Sequence, residues 1–129
     1  MINLDKEKII GIAALLVHAA KIDEQYSEEE KNMVENFIKS YNNDEDTKKI
    51  LNKAEELELN SNQLLSFTNI IKKNDDKIKS DIIEHLWKII ISDNKIDQYE
   101  SNLMRRVCGL IYFPDKMCAE IKLRLLNKK

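Results

Sequence analysis

Apolar residues recur along this chain at intervals of three and four positions, the spacing that gathers them on one face of an α-helix. Seven such stretches can be distinguished, separated by short polar connections. The most apolar one follows Asp75 and predicts a central helix whose buried side includes Leu86, Trp87 and Ile90. The predicted helices run from about Leu4 to Ile22, from after Ser27, through Ile50–Leu57, from Leu64, from after Asp75, from after Asp97 and from Pro114. Among the other positions expected to face inward are Ile9, Ile12, Leu16, Met33, Phe37, Leu103, Val107, Met117, Cys118, Ile121 and Leu125.

The composition agrees with an all-α chain. In 129 residues there are two glycines and one proline, fewer turn formers than a β protein of this size needs. We therefore predict a compact bundle of about seven helices that forms a single domain over residues 1–129. A formal net charge of −2 gives no electrostatic reason to bind nucleic acid, and no apolar run is long enough for direct membrane insertion.

The chain repeats part of its pattern at an offset of 70 residues. Each copy has an apolar helix that ends near an aspartate, a short loop, and a new helix with an acidic start. Identical pairs include Leu16 and Leu86, Asp23 and Asp93, Glu30 and Glu100, and Asn32 and Asn102. This order predicts two pseudo-repeated helical hairpins.

The acidic helix starts have two explanations. Ser27 with Glu30, and Asp97 with Glu100, have the spacing of a capping box, in which the first residue is the N-cap and the glutamate reaches back to it. Capping alone accounts for these four residues. The other explanation is a cation bound between the helices.

Asp23 and Asp93 are harder to explain as helix punctuation. Each is expected at the C-terminal end of an apolar helix, where an anion faces the negative end of the helix dipole at a cost of about 0.3–1 kcal/mol. Backbone NH groups of the loop, a lysine, or a hard cation such as Ca²⁺ or Mg²⁺ would compensate. The loops are not EF-hands, because position 12 counted from Asp93 is Met104 rather than glutamate.

The second copy resembles the signature of the TerB-like domains, which are known from tellurite-resistance proteins. That family shows Ala-Asp-Gly, a hydrophobic residue and Asp-x-x-Glu, followed by a helix with paired arginines; this chain has Asp93, Ile96, Asp97 and Glu100, followed by Arg105-Arg106. Glu24 and Asn94 stand where the family has glycine, and Ser27 stands for the second aspartate of the first copy. The resemblance implies an all-helical domain, cytoplasmic in most members, with metal binding by acidic residues.

We therefore expect a non-enzymatic cytoplasmic binding domain, with a stress-related role and another protein as partner. Ca²⁺ or Mg²⁺ would bind at Asp23, Glu30, Asp93, Asp97 and Glu100. The alternative is a metal-free adaptor with a groove for another protein's helix. A third hypothesis, a hydrolase that uses the acidic cluster, requires a pocket holding a carboxyl of raised pKa.

The remaining polar and sulfur-containing residues are expected to be structural. His18 and His85 are predicted to be partly buried and not ligands, and Cys108 and Cys118 to lie in the core.

Overall fold

The computed structural model describes the backbone of residues 6–21, 26–41, 47–61, 65–73, 76–91 and 98–127. Within these ranges all regular structure is α-helical and no strand occurs, which confirms the predicted fold class. The helices are α1 Lys6–Ala20, α2 Glu28–Tyr41, α3 Thr47–Asn60, α4 Leu65–Ile71, α5 Asp76–Ile91, α6 Gln98–Leu110 and α7 Asp115–Asn127.

Two helices occupy the centre of the bundle. α1 packs against α2, α3, α4 and α5, while α5 also packs against α2, α6 and α7. α1 is apolar on nearly every side, as expected for a helix surrounded by others. On α5 the predicted core residues Leu86, Trp87 and Ile90 are 0%, 4% and 1% exposed, so that prediction is confirmed.

The two helical hairpins repeat in the backbone as well as in the sequence. α5 begins 70 residues after α1, and α6 begins 70 residues after α2. Leu16 and its counterpart Leu86 are both fully buried, as are Phe37 and Val107. The hairpin α1–α2 and the hairpin α5–α6 therefore share helix starts and core positions.

Two details of α7 differ from the sequence prediction. Met117 was expected to face inward but is 39% exposed, because the buried stripe runs through Cys118 and Ile121 and the preceding residue is rotated about 100° from it. Pro114 was expected inside the first turn of the helix. Its carbonyl instead accepts the first helical hydrogen bond, from the Cys118 N–H at 3.1 Å, so Pro114 is the N-cap.

α6 ends in a tight Schellman turn that leads directly into α7. The Phe113 N–H donates to the Cys108 carbonyl at 2.8 Å, and the Tyr112 N–H donates to the Gly109 carbonyl at 3.4 Å. Tyr112 has a φ of 60°, in the left-handed region that usually belongs to glycine at this position. The turn brings the last turn of α6 against the first turn of α7.

None of the helices in the described ranges has both the length and the apolar character required to cross a membrane.

Candidate functional site

The predicted acidic site falls largely on parts of the chain that the structure does not describe. Asp23, Asp93 and Asp97 lie outside the described residues. The backbone of Glu100 belongs to the first turn of α6, but its side chain is also outside the description. Glu30, on the first turn of α2, is the predicted ligand whose surroundings can be examined.

Glu30 forms a capping box with Ser27. The Glu30 N–H donates to Ser27 Oγ at 3.1 Å, and the Ser27 N–H donates to Glu30 Oε1 at 2.9 Å. The Ser27 hydroxyl also donates to Glu30 Oε1, at 3.1 Å. Ser27 is thus the N-cap of α2, as its spacing predicts. Only 6% of Glu30 is exposed, so its carboxylate is buried at the end of the first interhelical loop.

The end of this loop is also bound to α3 through Glu55. The Tyr26 hydroxyl donates to Glu55 Oε2 at 2.7 Å, and Lys31 Nζ lies 3.6 Å from the same oxygen. Burial, together with the hydrogen bond to Glu55, raises the pKa of the Tyr26 phenol above its ordinary value. Tyr26 therefore stays protonated and remains a hydrogen-bond donor to α3.

A second carboxylate of α3, Glu58, binds the end of α1. Lys21 Nζ donates to Glu58 Oε1 at 2.9 Å, and His18 Nδ1 donates to Glu58 Oε2 at 3.1 Å. Burial raises the pKa of Glu58, but the hydrogen bonds from Lys21 and His18 outweigh it and leave that pKa below its ordinary value of 4.5. Glu58 is therefore an ionised carboxylate at neutral pH.

Sequence reasoning missed Glu55 and Glu58, which hold the first hairpin against α3. On an amphipathic helix such residues usually belong to the solvated face. Their spacing of three put both on one side of α3, and that side lies beside the buried stripe of Ile50, Leu51 and Ala54. This position at the edge of the stripe was the available signal.

The two histidines have structural roles, as predicted. His85 Nδ1 donates to the Asp81 carbonyl oxygen at 2.8 Å, and its ring packs edge-on against Phe37 with the centroids 5.0 Å apart. The Tyr41 hydroxyl donates to the Asp81 side chain, which joins α2 to α5. His18 supports Glu58. Among the described side chains, no group of three or more His, Cys, Asp or Glu could hold a metal ion.

A pair of cysteines lies where α6 meets α7. Cys108 is fully buried and Cys118 is 6% exposed; both are free thiols, and they hydrogen-bond to each other. The indole N–H of Trp87 donates to Cys118 Sγ at 3.3 Å. The prediction that both cysteines lie in the core is confirmed, whereas their mutual contact was not foreseen.

The two thiols have opposite electrostatic environments. The hydrogen bond from Cys108 lowers the pKa of Cys118 to about 7, against the effect of burial and with help from the Trp87 N–H and Lys122. The same thiol–thiol hydrogen bond, together with burial, raises the pKa of Cys108. Of the two thiols, Cys118 is therefore the one whose pKa is lowered and Cys108 the one whose pKa is raised.

Cys118 lies in the wall of a pocket of about 400 Å³ between α5, α6 and α7. Lys122 stands over the Trp87 ring, with Nζ 5.3 Å from the ring centroid. The pocket thus combines an aromatic wall, a thiol and charged side chains of both signs. Its lining residues are Trp87, Ser101, Met104, Arg105, Asp115, Cys118, Ala119 and Lys122.

The protein is a small helical domain. Its features are the order of its helices, its repeated hairpins and the capped, acidic start of α2. The model of the family described as tellurite resistance protein TerB matches residues 10–123. Because the match extends over most of the 129 residues, the chain belongs to the TerB family. No protein of curated function and no solved structure matches it significantly.

Proposed function

We propose that this chain is a non-enzymatic, cytoplasmic TerB-family binding domain that takes up a divalent cation, Ca²⁺ or Mg²⁺, in its acidic interhelical loops. Asp93, Asp97 and Glu100 would supply the ligands in the second hairpin. Asp23 and Glu30 are the corresponding residues of the first. These ligands are all oxygen atoms, which is the donor set that hard cations prefer.

The observation that carries the proposal is that different charged residues surround the loops of the two hairpins. In the first hairpin, Lys21 and Lys31 flank the loop and pair with α3 carboxylates, at 2.9 Å and 3.6 Å. Seventy residues later their counterparts are Ile91, which is buried, and Ser101. The second loop therefore lacks both flanking lysines of the first, although it has Lys95 within it, where the first loop has Gln25.

The same comparison adds an acid to the second loop. Where the first hairpin has the neutral N-cap Ser27, the second has Asp97. Net charge does not separate the hairpins in this direction, because Glu24, Glu28 and Glu29 are replaced by neutral residues and Lys95 is added, so residues 91–101 carry a formal charge of −2 against −3 for residues 21–31. The second loop is favoured because it has three candidate carboxylate ligands, Asp93, Asp97 and Glu100, against two in the first. In the first hairpin, Glu30 Oε1 accepts both hydrogen bonds of Ser27, so this carboxylate already has a capping role.

The test is thermal unfolding of the full chain in EDTA and in millimolar Ca²⁺ or Mg²⁺. A cation that binds only the native state raises Tm; at a concentration 100 times Kd the gain is about 2.7 kcal/mol, or on the order of 10 °C for a chain of this size. Asp93→Asn should abolish the rise and leave the protein in EDTA as stable as the wild type or slightly more so, because it removes repulsion between like charges. Asp23→Asn should reduce the rise less.

Glu120→Gln is the matched control, since it removes one negative charge from an exposed position on α7. The control should keep the full cation-dependent rise in Tm. A wild-type Tm that is the same in EDTA, Ca²⁺ and Mg²⁺ would refute the cation site. If Asp93→Asn instead destabilises equally with and without cation, Asp93 caps loop NH groups.

The alternative function is a metal-free adaptor that binds another protein. Its support is the pocket between α5, α6 and α7, together with large apolar side chains that face solvent. Leu59 is 74% exposed and Leu123 is 57% exposed. An adaptor would show no response to divalent cations, so the same melting experiment separates the two functions.

A further inference from the structure

We propose that Cys118 is a reactive thiol that a hydroperoxide oxidises through the α5–α6–α7 pocket, and that Cys108 then converts the product into an intramolecular disulfide. This modification site is independent of the proposed cation site. Three observations support it: the pocket gives access to Cys118, hydrogen-bond donors surround its sulfur, and the turn between α6 and α7 keeps the two cysteines close.

Two groups can donate a hydrogen bond to the Cys118 sulfur. The indole of Trp87 has only a donor to offer, so its N–H at 3.3 Å requires Cys118 to accept. The Cys108 thiol is the second donor. An anionic sulfur accepts hydrogen bonds far better than a neutral one, so this arrangement favours the thiolate, which is the nucleophilic form.

Charged groups around the pocket modify this preference. Lys122, one helical turn after Cys118, favours the thiolate, whereas Asp115, three residues before it, opposes it. Arg105 of α6 lines the same pocket and adds a second positive charge. The hydrogen bonds from Cys108 and Trp87, with Lys122, outweigh burial and Asp115 and hold the pKa of Cys118 below its ordinary value of 9.0.

Access separates the roles of the two thiols. Cys118 forms part of the pocket wall, and the pocket volume of about 400 Å³ is ample for a small peroxide. Cys108 is fully buried and is not among the residues that line the pocket. An oxidant therefore meets Cys118 first, and Cys108 is placed to react with the oxidised product.

The chemistry balances with hydrogen peroxide as the oxidant. The Cys118 thiolate attacks one peroxide oxygen, an S–O bond forms as the O–O bond breaks, and the leaving hydroxide takes a proton to become water. Cys118 is then a sulfenic acid. The Cys108 sulfur attacks it, an S–S bond forms as the S–O bond breaks, and the hydroxyl leaves as water with the Cys108 proton. In total the two thiols lose two electrons and two hydrogens.

The fold keeps Cys108 within reach of Cys118. The Cys108 carbonyl accepts the Phe113 N–H in the Schellman turn, and Cys118 closes the first turn of α7 through the Pro114 carbonyl. Only the residues from Ile111 to Pro114 connect the two helices. The thiols are therefore held together by a short connection whose backbone groups are hydrogen-bonded.

To test this proposal, the reduced protein is treated with hydrogen peroxide, and oxidation of the two cysteines is followed by intact-mass measurement and peptide mapping. We expect a loss of two hydrogens and a disulfide between Cys108 and Cys118 within one chain. In the untreated native protein, iodoacetamide should alkylate Cys118 at least about tenfold faster than Cys108, with a midpoint near pH 7.

Three variants assign the steps. Cys108→Ser keeps a hydroxyl donor, so a sulfenic acid should accumulate on Cys118 and be captured by dimedone without any disulfide. Cys118→Ser should give neither product. Trp87→Phe keeps an aromatic ring but removes the N–H, so the alkylation profile of Cys118 should move to higher pH. Circular dichroism checks that each variant keeps its helices.

Several results would overturn the proposal, and the first three need only the wild-type chain. They are a wild-type protein that stays reduced in peroxide, disulfides that form only between two chains, and faster labelling of Cys108 than of Cys118. An unchanged pH profile in folded Trp87→Phe would also overturn it.

Discussion

Tyr112 offers a test of the turn that joins the two cysteine-bearing helices. It occupies the position after the α6 C-cap with a φ of 60°, where a residue with a Cβ costs about 1–2 kcal/mol. Glycine avoids this cost but loses about 0.5–1 kcal/mol more conformational entropy on folding. Replacing Cβ by hydrogen at this position should therefore stabilise the fold by up to about 1 kcal/mol.

The comparison that isolates the backbone term is Tyr112→Gly against Tyr112→Ala. Tyr112 is 73% exposed, so both variants lose the same small set of ring contacts. Only alanine keeps the Cβ. We expect the glycine variant to be more stable than the alanine variant by about 1 kcal/mol, with Tyr112→Asn between them because asparagine tolerates the left-handed conformation.

Urea unfolding monitored by circular dichroism measures this difference as a shift in midpoint at constant m-value. In a thermal scan the same free energy corresponds to about 3–6 °C between the glycine and alanine variants. If the alanine variant unfolds at the same or a higher urea concentration than the glycine variant, residue 112 does not adopt the left-handed conformation in solution. That result would refute the assignment of the Schellman turn. It would also refute the placement of Cys108 beside Cys118, which depends on this turn.

Further predictions concern the core, the cap and the first hairpin. Leu86→Ala should lower the free energy of unfolding by about 2–5 kcal/mol in urea titrations, because Leu86 is fully buried on α5. Ser27→Ala, measured in EDTA, should cost about 0.5–2 kcal/mol, since it removes the acceptor for the Glu30 N–H; an unchanged midpoint would contradict the cap. Glu58 has a pKa below its ordinary value of 4.5, so its ionised form stabilises the fold above that pH, and the stabilisation is lost as pH falls through the folded pKa. The stability difference between wild type and Glu58→Gln should therefore be full at pH 7 and shrink below about pH 4.5; a difference that grows on acidification would contradict the assignment.

Periodicity was sufficient to predict the helices because each buries a stripe of fixed geometry. α5 is the clearest case: its apolar residues recur at helical spacing, and Leu86, Trp87 and Ile90 are buried as expected. The cap of α2 was also predictable, since Ser27 and Glu30 interact within one turn. Interactions of this kind depend on residues a few positions apart, so the sequence contains the information they need.

Contacts between helices were not predictable in the same way. Glu58 binds Lys21 across 37 residues, and although Glu58 lies at the edge of the apolar stripe of α3, its sequence position does not identify the partner. The left-handed Tyr112 is likewise imposed by the junction of α6 and α7 rather than by its own preference. The contact between the two cysteines could be predicted in part. A four-residue connection implies that α6 and α7 are antiparallel neighbours, and this brings the end of α6 close to the start of α7.

The repeated hairpins show how one backbone pattern can hold two different sites. Their helix starts correspond, and so do several of their buried residues. The two hairpins differ in the helix that contacts them. α3 supplies carboxylates to the lysines of the first hairpin, whereas α7 brings Cys118 against the second. Lys31, which pairs with Glu55 in the first copy, is replaced by Ser101, which lines the pocket in the second. In the first hairpin Lys21 and Lys31 are paired with carboxylates of α3, and Glu30 has a capping role. The oxidisable thiol that we propose therefore belongs to the contact of the second hairpin with α7, and we expect the proposed cation to bind more tightly at the second loop than at the first.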